Sequence, residues 1–433
     1  MATAFPFLSR YDPPGTSEGT LDPMGLYQIA DQLAVQLVPA VRERMQRIRF
    51  LTAMAVGAAV TEGMEDDPEQ RDASPYLVWE WLVVEARVRA ARAGDHTVWG
   101  VPGSDVTHRA IEQHGYLDAR SYLKTPRIFG FNGVYKRLAL HLGLVDVHLG
   151  PGLHAERLVD AWARSRGLGG VEGAKATLAK WADAVRRSLR ERPPRTKPGW
   201  GNAEWAELAE AFAPGECKGQ ERRFLRESLC ASVDRRLGAF PDIWALQAGF
   251  ANGDYREEIL HHRLEQAVPA YGTLLKAIRA YEAFARSLQD SFDVLKAVAT
   301  GADSGGFAVP AIASDADFAK SVECLHERFE AAYRALSEVT LVSVSLPNLF
   351  TGRFQAFAEP MAAADCALAV CRHHEEVQKA KSAEGKRAWF DRIGGDRIYI
   401  RHAYREKRRD IALGRYVHDY RGQPIRRFYR DLT

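Results

Sequence analysis

The sequence predicts a mainly α, multi-subdomain protein, and three observations carry that prediction. Apolar residues recur at spacings of three and four through most of the chain, the helical period. Tyr271, Leu274, Ile278, Tyr281, Ala285, Leu288, Phe292 and Leu295 sustain those spacings for about three and a half heptads. At 433 residues the chain also exceeds what one hydrophobic core usually serves. The expected divisions are an N-terminal arm and helical subdomain over 1–115, a candidate winged-helix module with following helices over 116–192, a helical bundle with a long hairpin over 200–383, and a basic, aromatic segment over 384–433.

Residues 1–23, rich in Pro, Gly, Ser and Thr, read as an extended arm. An amphipathic helix follows over 25–38, and Pro39 is expected to open a second, running through Arg42, Arg44, Arg47 and Arg49 into the apolar stretch 50–60. The acidic segment 62–72 reads as a loop, after which Ser74-Pro75 caps a helix over 76–93. Gly130-Phe131-Asn132-Gly133 then leads into a helix over 134–142. The following Gly143-Leu144-Val145-Asp146-Val147-His148-Leu149-Gly150-Pro151-Gly152 reads as a strand and tight turn. Helix, Gly-Leu-Val strand and glycine turn is the order of a winged helix, whose second helix reads a groove.

Residues 172–192 set Leu178, Trp181, Ala182, Val185 and Leu189 on one helical face, and the Pro-rich 193–199 ends it as a linker. The heptad seam is expected to pair with a second helix starting at Ser314, with Ser314 and Asp317 as its capping box and Phe318, Val322, Leu325, Phe329, Ala332 and Leu336 as its apolar face. Together they predict an antiparallel helical hairpin. Residues 341–346 read as a strand or extended link, and helix returns over 350–383 with a break at Pro360. Past Asp396, Arg397, Tyr399 and Arg401 alternate with Ile398, Ile400 and His402, the period of a small β element.

Charge is uneven. Residues 386–433 hold fourteen Lys or Arg against six acids, a surplus of +8 in a chain whose net charge is +3, so the remainder carries −5. Eight aromatics are interleaved with those charges. Arg397, Tyr399, Arg401, Arg405, Lys407, Arg408 and Arg409 are therefore candidate nucleic-acid contacts, with arginine forks for phosphate and tyrosine for stacking. Lys136 and Arg137, on the candidate recognition helix, join them. The same basic face also suits an acidic protein surface, including one on this protein or on another subunit.

Other chemistry is thin. Cys366 and Cys371 lie five residues apart, about 140° around a helix, so they do not face one ion with His373 and His374. His261-His262 after Glu257-Glu258 lacks the spacing of a metalloprotease helix, and Glu216-Cys217-Lys218 lacks the strand setting of a nuclease acid and lysine. No phosphate-cradling glycine loop, dinucleotide fingerprint or nucleophile elbow is present. No metal, cofactor or catalytic residue is assigned.

Five cysteines without close pairing and no signal-peptide pattern point to a reducing cytoplasm, and the eleven-residue stretch 50–60 is too short to span a bilayer. Arg- and Ala-rich usage with nine Trp fits a bacterial protein. Leu21-Asp22-Pro23-Met24-Gly25-Leu26, Arg47-Ile48-Arg49-Phe50-Leu51-Thr52 and Gly130-Phe131-Asn132-Gly133-Val134-Tyr135 before Gly143-Leu144-Val145-Asp146 carry a likeness. Over mainly the first third, the chain resembles uncharacterised helical accessory proteins of bacterial anti-phage defence islands. That resemblance implies a role beside restriction, modification or helicase components and supplies no catalytic residues.

The expectation is a non-catalytic, DNA-engaging or scaffolding subunit of a multi-protein assembly, its partners a nucleic acid, foremost DNA, or an acidic protein surface, together with other subunits and no membrane. A metal-dependent nuclease with scattered acids and a pure protein–protein adaptor are the alternatives.

Overall fold

The structure is a computed structural model that describes residues 22–66, 73–92, 100–213, 215, 217–230, 236–250, 255–302, 305–340, 345–381, 386–406 and 412–433. It is mainly helical, with one small three-stranded antiparallel sheet. Its described residues fall into two compact units, the first within Met1–Leu33 and Glu265–His418, the second within Ala34–Leu264 and Asp419–Thr433. No described helix is long and apolar enough to cross a membrane.

The first unit is built on the Gly272–Thr300 helix. Its seam is buried from Ile278 to Leu295, while Tyr271 and Leu274 at its start are half-exposed. The Leu325–Ser337 helix lies antiparallel to it: Lys276 reaches Glu338, Phe284 meets Phe329 edge-on, and Arg328 bonds Ser287. The predicted hairpin is therefore present, but its second arm is two helices, Ala316–Val322 and Leu325–Ser337. The chain leaves helical geometry at Cys324, with φ −117° and ψ 29°. The cap is Asp315 and not Ser314, because the Asp315 carboxylate accepts from the N–H groups of Asp317 and Phe318. Beyond it come the Leu346–Phe354 helix, a break containing Pro360, and the Ala363–Lys379 helix. Residues 341–344 lie outside the described residues.

Strands β1 (Phe307–Ala308), β2 (Phe390–Arg392) and β3 (Arg397–Ile400) form the sheet in the order β1-β3-β2. Phe307 pairs with Ile398, and Phe390 with Ile400. The period-two pattern is realised, since Ile398 and Ile400 are buried and Arg397 is exposed.

The second unit surrounds the Arg49–Thr61 helix, buried along almost its whole length. Gly57 makes this possible: a Cβ there would lie 2.3 Å from Nε1 of Trp79 on the Pro75–Arg92 helix. Trp79, Trp162, Trp181 and Phe212 form a ring cluster beside it. Pro39 does not open a helix. Ala40 takes a positive φ of 67°, and the N–H groups of Gln46 and Arg47 donate to the Tyr135 hydroxyl, so residues 39–48 stay irregular. The 193–199 segment packs inward, with Thr196 buried and bonded to Leu117 and Glu85.

The wing of a winged helix does not form as a strand pair. After the Phe131–His141 helix, residues 143–152 make a tight loop closed by a single bridge, Val145 to Pro151. The reason is Asp146, whose Oδ1 accepts from the N–H groups of His148 and Gly150 and curls the chain where a ladder would need it extended.

Candidate nucleic-acid interface

The exposed side of β3 carries the strongest cluster of predicted contacts. Arg397 donates from Nε to the Gly305 carbonyl at 2.8 Å and from Nη2 to the Gly306 carbonyl. Arg405 donates from Nε to the Ile400 carbonyl at 3.2 Å, and its guanidinium lies 4.7 Å over the Tyr399 ring. Arg401 donates to the Ala388 carbonyl at 3.3 Å and sits 5.9 Å over Tyr404, which stacks on Trp389 at 4.7 Å with the rings 1° from parallel. Arg397, Tyr399, Arg401 and Arg405 are thus brought together. Arg397 and Arg405 have no acid within ion-pair reach among the described residues. Lys407, Arg408 and Arg409 lie outside the described residues.

The aromatic rings in this cluster are already engaged. Guanidinium planes cover Tyr399 and Tyr404, so the face presents arginine forks more than bare stacking platforms. Nearby cations are neutralised in place: Arg387 pairs with Asp391, and Arg392 grips Glu375 through two contacts of 2.6 and 3.1 Å.

The last stretch of the basic tail, 419–433, is not a surface arm. Residues 419–433 belong to the core of the second unit, where Tyr420, Ile425, Phe428 and Leu432 are fully buried. Arg421 is 2 % exposed, and Arg426 is buried beside the Phe250 and Tyr255 rings. Burial and the neighbouring Arg430 pull Arg426 below the ordinary guanidinium range. Sequence counting saw the charge of these residues but not their partners, which lie more than 150 positions away.

Lys136 and Arg137 belong to the second unit, on the Phe131–His141 helix. With Arg42 and His148 they border a cavity of about 880 Å³. Sequence reasoning passed over Tyr76 and His148, which also line it, because each is a lone residue until the fold assembles the wall.

His373 and His374 serve the core of the first unit. His374 Nδ1 bonds the Pro23 carbonyl at 2.9 Å while its Nε2 accepts the Trp389 N–H at 3.0 Å, which sets the neutral tautomer with the proton on Nδ1. Burial pushes its pKa down to about 3. His373 bonds the Met24 carbonyl and is lowered by burial too. Cys366 and Cys371 are buried beside them as free thiols, raised to about 12 by burial. Among the described residues no group of three or more His, Cys, Asp or Glu side chains could hold a metal ion.

In the second unit Cys217 is buried beside Arg49 and Glu221, and burial pushes its thiol up. Glu216 lies outside the described residues. No protein-family model matches the chain, and no curated protein or solved structure compared with it matches either.

Proposed function

We propose that the chain is a non-catalytic, nucleic-acid-engaging subunit of a bacterial assembly, with anti-phage defence as the setting suggested by the resemblance of its first third. The reading rests on one observation. Among the described residues Arg397 and Arg405 are held by main-chain carbonyls and not by carboxylates, so their direction is fixed while no described acid neutralises their charge. A polyanion gains most from cations of that kind, because each phosphate it neutralises releases counterions. DNA is the foremost polyanion in this reading.

Fluorescence anisotropy with labelled duplex and single-stranded DNA, followed from about 50 to 200 mM salt, tests it. The wild-type chain should bind with an affinity that falls steeply with salt, and R397E/R405E should lower both affinity and the salt slope by about one unit per lost phosphate contact. Unchanged DNA binding in the double variant would move the face to an acidic protein surface. Divalent-metal-dependent cleavage by the purified chain would sink the non-catalytic part.

A further inference from the structure

The cavity of the second unit gathers chemistry that the β3 reading does not use. Its volume of about 880 Å³ falls in the range of small-molecule sites. Arg42, Lys136, Arg137 and His148 line it, and the exposed acids Glu62 and Asp66 complete its charged wall.

The wall is held in place by the protein itself. The loop that carries His148 is rigid, because Asp146 Oδ1 accepts from the N–H groups of His148 and Gly150 at 2.8 Å each. Lys136 Nζ donates to the Val147 carbonyl at 2.7 Å and ties that loop to the helix bearing Lys136 and Arg137. Tyr76 lines the cavity with its ring, while its hydroxyl oxygen is buried away from that space and has no hydrogen-bond partner among the described residues. Glu80, one turn further along its helix, accepts instead from the Tyr122 hydroxyl and the Asn132 N–H.

We infer that this cavity binds a small phosphomonoester that also carries hydroxyl groups, such as a nucleoside monophosphate or sugar phosphate. The phosphate lies against Lys136 and Arg137 with Arg42 as a third cation, and Glu62 and Asp66 accept from ligand hydroxyls. Mixed charge is the reason for hydroxyls as well as phosphate: a bare anion would leave both acids repelling it.

Isothermal titration calorimetry of the full chain with AMP, ribose 5-phosphate and adenosine tests the inference. One or both phosphomonoesters should bind and adenosine should not. K136E/R137E should weaken binding by about tenfold or more, as expected for lost charge-assisted contacts. No binding of either phosphomonoester at about 5 mM, a range in which affinities of a few kcal/mol still register, would overturn the inference. So would binding that K136E/R137E leaves intact. A 5′-phosphorylated DNA oligonucleotide that needs Lys136 and Arg137, when neither phosphomonoester binds, would assign the wall to nucleic acid and also overturn it. R397E/R405E should leave AMP binding unchanged, which separates failure here from failure of the nucleic-acid reading.

Discussion

Arg47 donates from Nη1 to the buried carboxylate of Asp431 at 2.7 Å, and the other oxygen of that carboxylate accepts the Ile48 N–H at 3.1 Å. Asp431 sits in the last turn of the Gly422–Leu432 helix, so the pair fastens the final helix beside the start of the Arg49–Thr61 helix within one unit. Burial raises the Asp431 carboxyl above its usual range even with Arg47 beside it, so the net gain is smaller than the contact distance suggests.

Asp431→Ala removes both acceptors and leaves Arg47 and the Ile48 N–H without them. Because Arg47 keeps 27 % of its side-chain surface in water, the expected cost is about 2 kcal/mol and not the full cost of a broken buried pair. Urea denaturation measures it. A loss below about 0.5 kcal/mol would show that the pair does not hold the helix.

His374 makes the first unit sensitive to acid. Its folded pKa near 3 lies below the unfolded value near 6.5, so the native state resists protonation that the unfolded chain accepts. Its contribution is complete above about pH 6.5 and is lost as pH falls toward 3, at up to about 1.4 kcal/mol per pH unit. Lys296, Lys381 and His373 are the neighbouring cations that add to the shift. Across denaturation curves at pH 7, 6, 5 and 4, His374→Gln should lose less stability on acidification than the wild type, and parallel curves would contradict the assignment.

Glu80 works in the opposite direction. Burial lifts its carboxyl to about 7, above the ordinary 4.5, although Tyr122, Asn132 and Phe131 donate to it. The folded state therefore holds a proton that the unfolded state has lost, and stability of the second unit falls as pH rises from about 4.5 to about 7. Glu80→Gln removes that dependence, so its stability relative to wild type should improve by up to about 3 kcal/mol between pH 5 and pH 8. Equal pH profiles for the two proteins would be evidence against a buried, proton-holding carboxyl.

Gly57→Ala tests how tightly the second unit is packed. Alanine favours helix by about 1 kcal/mol over glycine, yet its Cβ would meet the Trp79 indole, which is anchored through Nε1 to the Ala53 carbonyl at 3.1 Å. Overpacking should win by about 1–3 kcal/mol, with a lower melting temperature and an altered near-ultraviolet tryptophan signal. A more stable variant would mean that the two helices separate easily.

Local order was legible where a short stretch of residues determines it. The seam from Ile278 to Leu295, the cap at Ser74 and the alternation of Arg397 to Ile400 are each decided by neighbours a few positions apart, and each is present. The break at Cys324 and the irregular 39–48 segment were hidden. Residues 39–48 keep helical character in sequence, but Tyr135, nearly ninety positions away, claims the N–H groups of Gln46 and Arg47. The cavity wall was hidden for the same reason: Tyr76, Lys136 and His148 come to line one cavity only when three separate segments converge.

By itself the sequence determined the mainly helical class, the hairpin, the small sheet and the excess of cations after Lys386, because spacing and composition are properties of the chain. Tertiary structure alone decided which of those cations remain available. Arg392 is held by Glu375, Arg421 and Arg426 are buried in the second unit, and Arg397 and Arg405 have carbonyl partners and no acid among the described residues. A charge becomes a binding group or a structural one according to the solvent and partners around it, and for these arginines folding supplies both.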